Sequence, residues 1–306
     1  RILYRTGLHR IFSIFYGGTG SILTFHRVLR DADSASMLPS AKTSVITPEY
    51  LDELLSLYRK QGYRFISIDD LPGALTASCK KNSRKFLVCS FDDGYRDVSE
   101  TAYPVLQKHG VPFLIYVSSG FTDRKGFLWW DVISDILLHE KELVLLHKGE
   151  VQRYDIKAEK RGLLFGVARK CILQYSRDEL LRYQQFVTDY YGVDTAVYPE
   201  KGILSWMELR EIAKDPLCTI GAHSENHLAM KYQTEDVVRS EIINCRNAIE
   251  SNLGGEVKHL AFPYGGPDTV TARDIRIAGS AGFTTVCTTR RTNVFPAHCN
   301  YLYALP

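Results

Sequence analysis

The stretch KFLVCSFDDGYRDV, residues 85–98, places two adjacent carboxylates and a glycine directly after an unbroken apolar run. Such a run is typical of a strand buried on both faces, as in a parallel sheet. Six similar runs recur along the chain with helical patterns between them, which predicts parallel strands joined by helical crossovers, in a barrel or an open sheet. They are SILTFHR (21–27), RFISI (64–68), PFLIYVS (112–118), LCTIGA (217–222), VKHLAF (257–262) and FTTVCT (283–288).

Helix signals separate these runs. Thr47, followed by a proline, predicts the start of one helix. Ser205 and Glu208 have the spacing of a capping box. Thr234 precedes a long helical pattern that ends near Gly254. The chain therefore alternates strands and helices from about residue 21 to its end.

One block interrupts this alternation. Residues 121–205 contain WWDVISDILLHEKELVLL, a polar hairpin-like stretch and two helical patterns, which is more than one crossover needs. We interpret the block as an inserted, mainly helical subdomain. It divides the α/β unit into a first part, residues 1–120, and a second part, residues 206–306.

Composition sets limits on the function. The chain has 306 residues, of which 45% are hydrophobic, enough for one large domain or two ordinary ones. The net charge is +3, from 38 basic and 35 acidic residues, and no segment concentrates the positive charge. Nucleic acid is therefore not an expected partner.

The cysteines and the first residues bear on the compartment. Seven cysteines are scattered, mostly in apolar runs, and indicate reduced, buried thiols and a cytoplasmic protein. The opening residues 1–28 are basic and moderately apolar but contain no run of about 18 apolar residues, so we expect no membrane span. A periplasmic or cell-surface location is the alternative if a leader has been removed.

Polar residues at strand ends carry the chemistry, because active sites of parallel α/β folds collect at the carboxyl ends of the strands. Asp92 and Asp93 end the quoted run, so one carboxylate can bind a cation while the other takes a proton from water. The competing interpretation is that one of them caps the next helix. His223 and His227 lie four residues apart after another run and can reach one metal ion. With Asp93 they would form a hydrolytic divalent-metal site.

Two further strand ends complete the candidates. In AFPYGG, residues 261–266, Pro263 and the glycines predict an irregular turn that could aim the N–H of Tyr264 at a developing oxyanion. An ordinary strand-to-helix turn is the alternative. His26 ends the first run and is suited to protonating a leaving group, or is a hydrogen-bonded core residue.

Together, SFDDG, HSENH and FPYGG resemble, in this order, the polysaccharide deacetylase family, also called NodB-homology proteins or family 4 carbohydrate esterases. The resemblance implies a distorted (β/α) barrel of about seven parallel strands that binds one divalent metal and removes N-acetyl or O-acetyl groups from sugars. It implies that Asp92 is the catalytic base and that Asp93, His223 and His227 are the metal ligands. It also implies that the backbone amide of Tyr264 binds the oxyanion and that Ser224 supports the ligands.

Three departures from the family pattern refine the resemblance. Ala261 stands where members often carry an arginine, Leu228 replaces a proline, and no late LxH motif is found, since His298 is a poor substitute. The chain is more similar to the poly-N-acetylglucosamine deacetylase branch, whose general acid is a histidine near the N-terminus. His26 in FHRV matches that feature.

The substrate site is less defined. Trp206 resembles a tryptophan that walls the family's pocket, and Pro263, Trp129, Trp130 and Asp131 are candidate substrate contacts, although buried tryptophans are an equal alternative. The expected ion is Zn²⁺, with Co²⁺, Ni²⁺ and Fe²⁺ also compatible with these ligands.

Two other functions stay open from the sequence. One is a cyclic amide or imide hydrolase of the same fold. The other is a non-catalytic carbohydrate-binding protein that stacks Trp129, Trp130 and Tyr264 on sugar rings. The acetylated glycan itself, its length and the oligomeric state are not indicated.

Overall fold

The seven apolar runs all contribute strands to one parallel sheet in the computed structural model, which describes residues 17–34, 37–39, 41–78, 84–147 and 149–306. The strands in chain order are β1 (Gly20–Phe25), β2 (Arg27–Val28), β3 (Val45–Ile46), β4 (Arg64–Phe65), β5 (Phe86–Phe91), β6 (Phe113–Val117), β7 (Glu142–His147), β8 (Glu150–Asp155), β9 (Cys218–Ala222), β10 (His259–Ala261) and β11 (Thr285–Cys287).

The α-helices of the described residues lie mostly between these strands. They are α1 (Asp31–Ser34), α2 (Pro48–Lys60), α3 (Leu71–Ser78), α4 (Tyr103–His109), α5 (Ser119–Thr122), α6 (Trp129–His139), α7 (Arg161–Ile172), α8 (Arg177–Tyr191), α9 (Val197–Gly202), α10 (Trp206–Ile212), α11 (Glu235–Leu253) and α12 (Ala272–Ser280).

The order of the strands in the sheet is β1-β5-β6-β9-β10-β11, and β4 pairs with the start of β5. The register of the strands places their carboxyl ends side by side at one edge of the sheet. Phe91, the last residue of β5, lies opposite Phe25 of β1 and Ile115 of β6. Ala222, the last residue of β9, lies opposite Leu260 of β10. Residues that follow these strands therefore reach one edge of the sheet.

The sheet curls without closing, as the distorted barrel expected from the sequence. In the part of the chain that is described, β1 and β11 are its edges, and later segments cover them. Val294 pairs antiparallel with Gly20, and Leu305 pairs with Cys287. The curled sheet is thus a half-barrel with its outer strands tied to the C-terminal segment.

Both faces of the central strands are buried, which explains their continuous apolar sequences. Alternate residues of β6 point to opposite sides. Phe113, Ile115 and Val117 pack against the helical layer, while Leu114 and Tyr116 belong to a cluster inside the curl. Because neither side faces water, the strand has no polar alternation.

The predicted helix signals are confirmed. The Thr47 hydroxyl accepts a hydrogen bond from the backbone at the start of α2. Ser205 and Glu208 form a capping box on α10. Thr234 caps α11, which ends at Gly254 with φ 79°.

Between α5 and α10 the chain forms α6 to α9 and the antiparallel β7–β8 hairpin. Their apolar side chains share a cluster that includes Val132, Leu164 and Tyr183. Leu38 and Leu228 from the rest of the chain also join it. The division into a subdomain at residues 121–205 stays a prediction, and this shared cluster shows where the segment packs on the barrel.

The cysteines follow the prediction only in part. Cys89, Cys171, Cys245 and Cys287 are buried free thiols and Cys218 is half-buried, but Cys299 is exposed on a short 3₁₀-helix near the C-terminus. Cys79 and residues 1–16 of the basic opening segment lie outside the described residues. No helix of the described residues combines the length and apolarity that a bilayer crossing requires.

Substituting Gly221 by alanine adds one methyl group and tests how closely β9 packs against the inside of the curled sheet. A Cβ atom there would lie 2.7 Å from the Tyr116 ring and 3.1 Å from the His259 carbonyl oxygen. Gly221→Ala is expected to lower the free energy of unfolding by about 1–3 kcal/mol through overpacking. Gly73→Ala in α3 is the matched control, because nothing lies within 4 Å of its Cβ position. Urea unfolding of both variants checks this, and equal stability would contradict it.

Candidate active site

Four strand ends meet at the carboxyl edge of the sheet. His26 follows β1, Asp92 and Asp93 follow β5, His223 follows β9, and the turn at Tyr264 follows β10. These positions are distant in sequence and come together because every strand of the sheet is parallel.

Asp93, His223 and His227 form a buried cluster. One ligand atom from each lies within 4.8 Å of the others. The Nε2 atoms of His223 and His227 lie 3.5 Å and 3.0 Å from Asp93 Oδ1. This places one carboxylate and two imidazoles around a common point, as expected for a shared ion.

Backbone groups of neighbouring strands orient His223. Its Nδ1 lies 2.9 Å from the carbonyl oxygen of Ala261, which accepts the ring proton. Its backbone N–H donates to the Val117 carbonyl at 2.8 Å. With the proton held on Nδ1, the Nε2 lone pair is directed to Asp93, which is how metal-binding histidines are usually oriented.

Aromatic rings hold His227 instead. The ring centroids of Phe121, Trp130 and Tyr264 lie 5.6, 5.0 and 4.7 Å from that of His227. Its backbone N–H donates to Ser224 Oγ at 3.1 Å. Its buried Nδ1 has no hydrogen-bond partner in the described structure. Packing therefore fixes the direction in which this imidazole points.

The backbone at the site is strained. Five described residues other than glycine have a left-handed φ angle, and four of them lie here. Each such position costs on the order of 1–3 kcal/mol and persists only where the surroundings impose it. The four are Asp93 (71°), Ser224 (62°), His227 (55°) and Tyr264 (61°).

Asp92 has a different environment from its neighbour. It is 4% exposed, and its Oδ1 is buried with no hydrogen-bond partner in the described structure. Burial raises the pKa of Asp92 to about 7, the negative charge of Asp93 adds to the rise, and His26 opposes it. A carboxyl group with this pKa can exchange a proton near neutral pH.

The ionisation of the cluster fits a divalent cation. Burial and the neighbouring His227 lower the pKa of His223 to about 3, so its imidazole is neutral. Burial opposes ionisation of Asp93, but His227 and the other imidazoles outweigh it and hold the Asp93 pKa below its usual range. Two imidazoles and one carboxylate, with Asp93 Oδ1 lacking a hydrogen bond, are the donor set of Zn²⁺ and related ions.

The turn after β10 is tightly built. The N–H of Gly265 donates to the carbonyl of the buried Pro263, and Thr289 Oγ1 donates to the Tyr264 carbonyl. In the described structure no protein group accepts the N–H of Tyr264. The Tyr264 hydroxyl accepts a hydrogen bond from Trp129 Nε1 at 2.9 Å. The turn thus presents an unused backbone donor beside the ligands.

A second network, of one hydrogen bond, one cation–π contact and one ion pair, was not predicted from the sequence. Trp130 Nε1 donates to the hydroxyl of the buried Tyr95 at 2.7 Å. The Arg27 guanidinium lies 4.6 Å from the centre of the Tyr95 ring and forms an ion pair with Asp97 at 2.9 Å. No motif or periodicity indicates these contacts, because they join the barrel to α6 across the fold.

The remaining residues singled out in the sequence make contacts outside the group of Asp93, His223 and His227. Trp129 is buried, with 4% of its surface exposed, and supports Tyr264 rather than presenting a free ring. Trp206 is half-buried at the start of α10 and donates to Asp123. His298 contacts the Phe295 backbone on the C-terminal 3₁₀-helix, and Leu228 is buried in the apolar cluster of α6 to α8. The substrate roles predicted for the tryptophans stay predictions.

A family model described as polysaccharide deacetylase matches residues 80–149 and 168–286. The matched ranges include both aspartates, both histidines and the Tyr264 turn, while His26 lies outside them. No curated protein matches the chain.

Solved structures with this fold share little sequence with the chain. The Streptococcus pyogenes deacetylase PplD, in complex with acetate, is 16% identical with a TM-score of 0.58, covering 93% of this chain and 89% of its own. IcaB from Ammonifex degensii is 18% identical, with a TM-score of 0.55 and coverage of 94% and 97%. The BpsB deacetylase domain from Bordetella bronchiseptica is 17% identical, with a TM-score of 0.55 and 93% of each chain covered.

The cluster makes a direct prediction about metal content. The protein incubated with Zn²⁺ and dialysed should retain about one ion per chain, measured by atomic emission. His223→Ala should lower the affinity by more than the 10–100-fold that loss of an outer-shell partner typically costs. His298→Ala, outside the cluster, is the control and should retain the ion. Equal metal content in both variants would exclude this site.

Proposed function

Because the chain belongs to the polysaccharide deacetylase family of hydrolases, we propose that it removes acetyl groups from N-acetylated sugar units of a glycan, using a divalent ion. The observation that carries the proposal is the buried group of Asp93, His223 and His227, with ligand atoms within 4.8 Å of one another. Asp92, whose Oδ1 has no hydrogen-bond partner in the described structure, directly precedes Asp93 in the chain.

Asp93, His223 and His227 would hold the ion, for which Zn²⁺ is our first choice. When bound, such an ion supplies Lewis acidity toward the acetyl carbonyl and lowers the pKa of water. The chain must provide the proton transfers and the hydrogen bonds around that centre.

Asp92 is the proposed general base. Its burial and raised pKa, to about 7, suit a carboxylate that accepts a proton from water as the water oxygen attacks the acetyl carbon. Asp93, one residue away, has a lowered pKa and stays ionised. The two adjacent acids thus divide the tasks of base and ligand, since their surroundings move their pKa values in opposite directions.

The Tyr264 N–H is the proposed oxyanion donor. Its left-handed backbone holds the amide outside the hydrogen-bonding pattern of the sheet, and no described protein group accepts it. A fixed donor of this kind stabilises the negative charge that develops on the carbonyl oxygen.

His26 is the proposed general acid. It follows β1 on the same edge of the sheet, and its electrostatic interaction acts to lower the pKa of both Asp92 and Asp93. Donating its proton to the sugar nitrogen lets the carbon–nitrogen bond break, and acetate and the free amine leave. The match to the N-terminal histidine of the poly-N-acetylglucosamine deacetylase branch supports this role.

Replacing the base separates catalysis from metal binding. Asp92→Asn should lower kcat/KM for acetate release from N-acetylglucosamine oligosaccharides by about 10²–10⁴-fold, while the ion content stays unchanged. Asp189→Asn, on the exposed face of α8, is the charge-matched control and should keep full activity. An Asp92→Asn enzyme that releases acetate at the unaltered rate would remove Asp92 from the mechanism.

Replacing His26, the proposed general acid, should slow the hydrolysis of substrates with poor leaving groups far more than that of substrates with good ones. His26→Gln should slow deacetylation of N-acetylated sugars by about 10²–10⁴-fold, because an amine must be protonated to depart. Hydrolysis of 4-nitrophenyl acetate should fall less than about tenfold, because nitrophenolate departs without a proton. Equal losses on the two substrates would argue for a structural role of His26 instead.

A further inference from the structure

A cavity of about 520 Å³ lies between α6 and the segment that follows β1. This volume falls in the range of small-molecule sites. Arg27, Asp131, Asp135 and Tyr198 provide its polar wall, and Leu138 is part of its apolar wall. Mixed walls of this kind suit a sugar, which has both hydroxyl groups and apolar ring faces.

Two residues that line the cavity are direct chain neighbours of residues at the reaction centre. Arg27 is the residue after His26, and Asp131 is the residue after Trp130, whose ring lies 5.0 Å from that of His227. The charges of Asp131 and Asp93 also act on each other. A unit next to the reacting sugar in a glycan would therefore be close enough to enter the cavity.

The polar wall carries more negative than positive charge. Asp131 and Asp135 lie four residues apart on α6 and so share one face. Asp135 accepts the Tyr198 hydroxyl at 2.7 Å. Arg27 is the cation of the wall, and its Nε is bound to Asp97 at 2.9 Å.

The positive charge of Arg27 acts on Asp131, but neither Arg27 nor His139 donates a hydrogen bond to its carboxylate in the described structure. His139 turns its Nδ1 to the backbone carbonyl of Asp135 on its own helix, at 3.0 Å. In the described structure no hydrogen bond reaches the Asp131 carboxylate, although the side chain is half-buried. A half-buried carboxylate without a donor favours a ligand that brings positive charge and N–H groups.

We propose that this cavity binds a sugar unit with a free ammonium group, which is a neighbouring glucosamine that has already lost its acetyl group. The inference rests on the proposed deacetylase function and adds a specificity to it. The product of one reaction becomes a ligand for the next, so that acetyl groups are removed from adjacent units rather than at random.

The test compares two substrates that differ by one charge. They are a fully acetylated N-acetylglucosamine pentasaccharide and the same oligosaccharide with one glucosamine unit. The wild-type enzyme should show a kcat/KM about tenfold higher for the second substrate, the effect of a partly desolvated ion pair. Mass-spectrometric sequencing of the products should show the new glucosamine next to the existing one.

The variants Asp131→Asn and Asp135→Asn should reduce this preference to about twofold or less and randomise the products. Glu140→Gln removes an exposed charge just after α6 and should leave the preference intact. Thermal unfolding shows that each variant is folded. Equal kcat/KM values of the wild-type enzyme for the two substrates, or a preference that persists when both substitutions are combined in one chain, would overturn the proposal.

A direct binding measurement separates this proposal from the deacetylase function. Calorimetric titration of glucosamine disaccharide into the protein needs no turnover. If no oligosaccharide is deacetylated, the proposed function fails. The proposed glucosamine site is then still tested by whether glucosamine binds and whether Asp131→Asn abolishes that binding. Absence of glucosamine binding to the wild-type protein would overturn the proposal on its own.

Discussion

The buried carboxylate of Asp93 is the constraint on which the site depends. A charge with 3% exposure is unfavourable unless partners compensate for lost water. Two imidazoles supply part of this compensation, and a divalent cation would supply the rest. Because the partners come from the ends of β5 and β9, the charge can be accommodated only when the sheet is parallel and in register.

The same constraint explains the strained backbone. After β5 and β9 the chain must turn at once so that Asp93, His223 and His227 face one point, and straight continuation of either strand would separate them. Left-handed conformations at Asp93 and His227 make these turns. The aromatic rings around His227 and the Ala261 carbonyl on His223 then prevent relaxation. The strained backbone lowers the stability of the fold locally, and in return the ligand side chains are held in place before any ion or substrate binds.

The sequence predicts the parts of this arrangement that depend on local pattern and strand direction. Apolar runs identify the strands, and Asp92, Asp93 and His223 stand directly behind them, so their meeting follows from parallel topology. The contact of Trp130 with Tyr95 and the hydrogen bond from Trp129 to Tyr264 do not follow, because they depend on how α6 packs across the barrel. The prediction that the thiols are buried was wrong for Cys299, which is exposed on a 3₁₀-helix near the C-terminus.

The surroundings of Asp92 show how the proposed base and acid depend on each other. Where members of the family often carry an arginine, this chain has Ala261, which packs in one cluster with Tyr116 and Cys287. Those two groups are uncharged, since burial raises their pKa values and the negative charge of Asp92 adds to the rise. The side chain whose electrostatic interaction acts to lower the pKa of Asp92 is instead His26. When Asp92 takes the proton of water, its negative charge disappears and no longer opposes transfer of a proton from the general acid to the departing amine. In the proposed reaction, uptake of one proton therefore favours release of the other toward the departing amine.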